Sequence, residues 1–502
     1  MTARRGAAKP GAAPPSPRRL AALLLAVWGL SAGPIQAQTP PISPFNAIPA
    51  PADDGSVTLS LDQSRALARG ALRQGNAALA HRLASALLTR DPADTEARLV
   101  LAASAARLGD PALAYDQAGR AFARAQRDDL RYEAAHIAAE AAFLQGRKTL
   151  AQLWLRRAAQ TAPDRLRKAR TAQDYRAVRA QNPWRAQLDL SVAPSSNINN
   201  GASTDRLIVN GQSTQATLSG DAQALLGLES RAVARLSYRL RDAPRSVTEF
   251  GLRVESRSYA LSDSAKALAP TARGSDFAYG SVELLFNRHL RPAQSSGPLS
   301  FGATLGQSFY AGRDLGRYVQ LRAGRGAQLA PAVQGAASAL IERQWRARND
   351  GGDTASVALT GQLQRQFGGD SGGNSGGSLA GGFSGSLHAT LLHVSGEIAN
   401  ARNTTLRLGA RISPDKPIGP VRPSFGLSAS LRDFPSYSLG LVSLPNGRQD
   451  TTLSAEVDLL FPKLDVWGFA PTLTLTAARG RSNISRFETR HLGVSFGFQS
   501  LF

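Results

Sequence analysis

Cysteine is absent from all 502 residues. This excludes disulfides, thiolate metal sites and a cysteine nucleophile. It also excludes the lipid-bearing cysteine of a lipoprotein leader. Long apolar runs are missing too: beyond Leu30 no segment offers 18 consecutive apolar residues. A spanning helix needs about 20, so a chain of this kind crosses a membrane only as a closed β-barrel, in which strands satisfy one another's backbone groups. Acidic residues are scarce, 37 Asp and Glu against 59 Lys and Arg, giving a net charge of +22. A basic chain ordinarily raises nucleic acid as a partner. No Gly-x-x-x-x-Gly-Lys-Ser/Thr loop occurs, so a nucleotide site is not expected. The six histidines (His81, His136, His289, His388, His393 and His491) show no metal-ligand spacing. His388 and His393 lie five apart on an expected strand and so point to opposite faces. Gly382-Phe383-Ser384-Gly385 lacks the spacing of a nucleophile elbow. The expectation is a protein with no catalytic residues, no cofactor and no metal.

At the N-terminus, Arg4, Arg5, Lys9, Arg18 and Arg19 precede the apolar run 20–30, followed by small residues and Ile35-Gln36-Ala37. Basic region, apolar core and small-residue cleavage site are the parts of a secretory signal peptide, expected over 1–37. Export makes a nucleic-acid partner unexpected; basic helix faces meeting anionic lipid or an acidic polypeptide fit better. Residues 38–56 are rich in Pro and Ala without apolar periodicity and read as a linker.

From 57 to 181 the chain is dense in Ala, Leu and Arg, which favour helix. The stretch from Val57 to Pro183 holds 21 Lys and Arg against 12 Asp and Glu. A repeat runs through it. Gly75 precedes Pro92 by 17 residues, Gly146 precedes Pro163 by 17, and Gly109 follows Gly75 by 34. Ala80, Ala114 and Ala151 each lie five after a Gly. The pattern resembles tetratricopeptide repeats, with Gly in the turn inside a helix pair and Pro ending the pair. Gln126 replaces Pro in the middle copy. Stacked pairs form a solenoid with a concave face, which suits a polypeptide partner.

At Trp184 the period changes to two. Trp184, Ala186, Leu188, Leu190 and Val192 alternate with Arg185, Gln187, Asp189 and Ser191, and similar rows recur to the C-terminus. Glu456 and Asp458 sit mid-strand opposite an apolar row. Apolar outward and polar inward is the code of a membrane barrel. We expect fourteen strands between 182 and 502, with the longer loops on the outside. Aromatics near strand ends (Trp184, Tyr259, Tyr310, Tyr318, Phe461 and Trp467) are candidates for interfacial girdles. The Gly/Ser tract 368–377 falls on the opposite, periplasmic side as a long connection. The expected fold class is therefore a tetratricopeptide-like helical solenoid followed by a transmembrane antiparallel β-barrel of about 14 strands.

The last strand carries His491, Gly493, Phe496 and Phe498 and ends on Phe502. Polar residue, Gly and alternate aromatics resemble the signal read by the bacterial barrel-assembly machinery, a partner during insertion. The junction between the halves reads Asn182-Pro183-Trp184, and the first strand leaves through Pro194-Ser195-Ser196-Asn197-Ile198-Asn199. This pair is similar to the junction of the surface lipoprotein assembly modulators (Slam), whose exit motif commonly has Asp where Ser195 stands. The resemblance implies an exported repeat domain, a fourteen-strand outer-membrane barrel and translocation of a cognate client protein. It implies a periplasmic helical domain meeting the client or a periplasmic chaperone, and a barrel surrounded by outer-membrane lipid. The alternatives are a passive outer-membrane channel with a periplasmic interaction domain, and a polysaccharide export porin.

Overall fold

The computed structural model describes residues 58–293, 297–347, 351–368, 382–440, 442–444 and 446–500. The expected leader, the linker and Phe502 lie outside these residues, as do most of the Gly/Ser tract and the first residue, 57, of the expected helical domain. The chain divides into two compact units between Asn182 and Pro183.

The first unit holds seven helices among the described residues: α1 (Leu61–Arg73), α2 (Ala77–Arg90), α3 (Thr95–Leu108), α4 (Pro111–Arg124), α5 (Asp128–Leu144), α6 (Lys148–Gln160) and α7 (Arg165–Gln181). Their starts are written in the sequence. Ser60 and Gln63 form a capping box on α1, and Asn76, Asp94, Asp110 and Asp164 each accept a backbone N–H at their helix N-terminus, satisfying donors the helix leaves free. Gly75, Gly109 and Gly146 occupy the α1–α2, α3–α4 and α5–α6 turns with φ of 85°, 86° and 75°, a region costly to any residue with a Cβ. Ala80, Ala114 and Ala151 are fully buried in the second helix of each pair. Alanine at these positions lets the helix axes approach closely. Pro92 and Pro163 follow α2 and α6 in the connections to the next pair. Where Pro is missing, at Gln126, α4 instead ends on buried Ala125 and α5 restarts at Asp128. Trp154 anchors the largest cluster: its indole N–H donates to the Tyr115 hydroxyl at 3.1 Å, and it packs edge-on against Tyr115 and Phe122.

The second unit is a closed antiparallel barrel of fourteen strands. In chain order these are β1 (Trp184–Ser195), β2 (Gly227–Ala243), β3 (Ser246–Leu261), β4 (Tyr279–Leu290), β5 (Leu299–Tyr310), β6 (Arg313–Ala330), β7 (Val333–Arg346), β8 (Thr354–Phe367), β9 (Phe383–Gly396), β10 (Asn403–Pro414), β11 (Arg422–Phe434), β12 (Arg448–Leu460), β13 (Phe469–Ser482) and β14 (Thr489–Ser500). The rim where β1 begins is called the near rim, the other the far rim. Several connections are two-residue hairpins; Ala311-Gly312 turns with both φ positive, the geometry that matches strand twist. β8 and β9 stay paired to Phe367 and Phe383, whose rings stack 4.6 Å apart, at the base of the Gly/Ser tract.

The apolar rows face outward: Leu188, Leu284, Leu427 and Phe496 remain 58–68% exposed. β4 begins at Tyr279, after Gly274–Phe277 forms a short 3₁₀ turn. A six-residue helix, Asp263–Leu268, and two small hairpins, Arg206–Val209 with Gln212–Thr217 and Tyr437–Leu439 with Val442–Leu444, were not anticipated. All of them belong to far-rim loops. Three girdle candidates are corrected. Tyr318 shares a face with Glu283 and donates to it at 2.9 Å. Tyr259 lies on the face of Glu255 and packs beneath the far-rim loops. Strand parity turns both rings inward, and with them Tyr310, which pairs with Tyr279 on the face of Glu283, whereas Trp184 and Trp467 stay exposed.

Candidate functional site

Three arrangements carry chemistry: a polar lumen, a clasp at the ends of the first and last strands, and a row of partly buried carboxylates in the helical unit.

The lumen wall is braced by two ladders. In the first, Glu255, only 4% exposed, accepts from Arg231 at 3.0 Å and Arg257 at 2.9 Å and also pairs with Arg253. Arg253 continues to Glu283 at 2.8 Å, and Glu283 takes the Tyr318 hydroxyl. Arg235 meets Glu249 at 3.1 Å on the same wall. This ladder joins β2, β3, β4 and β6. Gly306 makes room for it, since a Cβ there would lie 2.2 Å from the Tyr318 ring. The second ladder joins β10 to β13: Arg411 pairs with both Glu456 and Asp458, and Thr474 donates to Asp458 at 2.6 Å. Charge-assisted bonds of this kind fix strand spacing and leave polar surface facing water.

The residues of the junction motif separate to the two ends of β1. At the near rim, the Asn182 amide donates to Thr149 at 3.0 Å inside the helical unit. The Pro183 carbonyl accepts the Arg239 N–H at 2.8 Å, and Trp184 packs edge-on against Tyr238. At the far rim the remaining residues build a knot. Asn197 exchanges bonds with Gly201 at 2.8 and 2.9 Å. The Asn199 amide donates to the carbonyls of Asp221 and Gln223, and its oxygen accepts the Leu225 N–H at 2.9 Å. Ile198 packs on fully buried Leu225 with Ala265 and Ala269. Asn197 and Asn199 are needed here because the loop 196–226 buries backbone that side-chain amides must satisfy.

The knot holds a loop that reaches across to the last strands. The Ile208 N–H donates to Ser485 Oγ at 2.8 Å, Ser485 donates to the Arg206 carbonyl at 2.7 Å, and the Asn210 N–H meets the Asn483 carbonyl at 2.8 Å. Ser196 Oγ accepts the Leu492 N–H at 2.8 Å, and Ser195 Oγ lies 3.5 Å from His491 Nδ1. So the exit motif of β1 and the terminal-strand residue His491 come together. Gly493 pairs with Ser195, and Phe496 with Val192. Phe498 lies further along the outward face. Beside this clasp an apolar groove of ≈ 810 Å³ crosses the seam, lined among others by Pro194, Leu228, Leu492, Val494 and Leu475.

In the helical unit, Glu133, His136 and Glu140 lie along one side of α5, three and four residues apart. Burial raises the Glu140 carboxyl to about 7, against a weaker pull from Arg107. Burial also raises Glu133, raises Asp174 of α7 to about 6 and lowers His136 to about 4. His136 Nε2 is 2.9 Å from Thr171 Oγ1. Glu140 Oε1 is buried with no hydrogen-bond partner. Sequence reasoning missed this row; the only signal was acidic residues at helical spacing in an Ala-rich helix. Among the described residues no three ligating side chains gather as a metal site requires.

No protein-family model matches the chain, and no curated protein matches it. Among solved structures the chain is similar to CdiB from Acinetobacter baumannii, at 12% identity over 62% of this chain and 59% of that one, with a TM-score of 0.34. It is similar to an outer membrane channel from Pseudomonas putida F1, at 12% identity over 62% and 94% of the two chains, with a TM-score of 0.30. A third likeness is to the Yersinia enterocolitica type III secretion translocator chaperone SycD, at 21% identity over 25% of this chain and 88% of that one, with a TM-score of 0.23.

Proposed function

We propose that this chain is an outer-membrane translocon of the surface lipoprotein assembly modulator kind, carrying a cognate client protein from the periplasm to the cell surface. The observation that carries the reading is the barrel wall: fourteen closed strands, exposed apolar rows outside and ion-paired polar rows inside. That inversion of the soluble pattern suits a wall between lipid and a wet lumen. An even strand number returns the chain to the near rim, and in this reading that rim and the helical unit face the periplasm. The longer loops 196–226, 262–278 and 435–447 then face outward. The helical repeats serve as a receptor for the client or a chaperone holding it. The junction residues Asn182, Pro183, Trp184, Pro194, Asn197, Ile198 and Asn199 support the family reading. No residue is assigned a catalytic role. Deleting the gene and digesting intact cells with protease tests the proposal: the client becomes protected, and re-expression restores its cleavage. Unchanged surface exposure of every candidate client overturns it.

A further inference from the structure

Thirteen of the fourteen strand junctions are long ladders; β1 and β2, for instance, pair at every residue from Trp184 to Ser195. The fourteenth differs. Among the described residues β1 and β14 share two register pairs, Val192↔Phe496 and Ser195↔Gly493. Pro194 lies between them and has no N–H to give. Continuing the same register toward the near rim sets Leu190 opposite Phe498 and Ser191 opposite Gly497. No pairing joins Asp189–Ser191 to Gly497–Gln499, although Leu190 O lies 3.4 Å from where a Cβ on Gly497 would sit. The clasp described above closes only the far-rim end. The two lumen ladders brace the walls on either side, β2 to β6 and β10 to β13, and leave the seam between them.

An open strand edge is a template for another strand, and one facing hydrocarbon is costly until its backbone groups find partners. We propose that the β1–β14 seam at Asp189–Ser191 and Gly497–Gln499 is a binding site for an extended polypeptide segment of the client. That segment pairs with the facing edges of β1 and β14 as the wall parts, while the far-rim clasp acts as the hinge. Recognition is by main-chain hydrogen bonds, so the occupant is defined by extended backbone with outward apolar side chains. This deepens the translocon reading and rests on it.

The test uses the full chain in membranes. Since the protein has no cysteine, Leu190→Cys with Phe498→Cys places one thiol on each edge. Leu359→Cys with Leu391→Cys does the same at a register pair of the intact β8–β9 ladder. Oxidation of the seam pair is expected to cut client surface exposure at least about 10-fold, restored by reductant, while the β8–β9 lock has no effect. Full export with the seam disulfide formed overturns the proposal. A second measurement needs neither client nor disulfide. In lipid nanodiscs the amides of Leu190 and Phe498 are expected to exchange at least about 100-fold faster than those of Leu359 and Thr390. Equal protection overturns the open seam even if deletion of the gene abolishes client exposure. Fast exchange with no effect of deletion instead sinks the translocon reading.

Discussion

Replacing Glu140 by Gln isolates the cost of holding a carboxylate inside the helical unit. The side chain is partly buried, its Oε1 is fully buried without a partner, and its carboxyl is raised from 4.5 to about 7. The folded state therefore holds this proton more tightly than the unfolded state does. Stability from that proton is full below about pH 4.5 and is lost as pH rises through about 7. The gap corresponds to about 3 kcal/mol once both states are ionised. The variant keeps the shape and hydrogen-bonding capacity but carries no charge. It should match the wild type within about 1 kcal/mol at pH 5 and exceed it by about 3 kcal/mol at pH 8. His136 and Asp174 titrate in both proteins and drop out of the difference. For a unit of this size the gain corresponds to roughly 10 °C in the melting of the helical signal, followed by far-ultraviolet circular dichroism on the full chain. Parallel pH profiles for the two proteins would refute the reasoning.

Two substitutions probe the barrel. Glu255→Gln leaves Arg231, Arg253 and Arg257 without their shared carboxylate; partial exposure of the arginines moderates the loss to about 1–3 kcal/mol, read as a lower urea midpoint for the refolded barrel, and an unchanged midpoint contradicts a bracing role. Asn199→Ala removes four hydrogen bonds inside the far-rim knot, about 2–3 kcal/mol of local stability. Limited proteolysis should nick 196–226 several-fold faster while the barrel core stays intact, and wild-type nicking rates count against the knot.

The fourteen strands were legible because alternation of two is strict wherever one face meets lipid-like surroundings and the other water: Leu406, Leu408 and Ala410 face out while Arg407 and Arg411 face in. The helical turns were legible because positive φ at Gly75, Gly109 and Gly146 demands glycine. The role of Asn197 and Asn199 was not, since their partners at Gly201, Asp221, Gln223 and Leu225 are chosen by the loop's path. The inward turn of Tyr259 and Tyr318 was hidden because an aromatic suits either face and only register decides. Nor does any residue pattern announce the incomplete seam, a property of how two strands distant in sequence meet.

The clasp also has a temporal meaning. Its bonds join residues 277 and 296 positions apart, so nearly the entire barrel must be threaded before any of them exists. The entropic cost of closing such a loop is high, and contacts this distant in sequence slow a folding chain. Strands β2 to β13 each pair with a neighbour adjacent in sequence, whereas the union of the first and last strands joins the two ends of the whole sheet. A half-assembled molecule is thus a curled sheet with two bare margins, and Ser195, Ser196 and Ser485 are the residues whose bonding marks the end of that vulnerable interval.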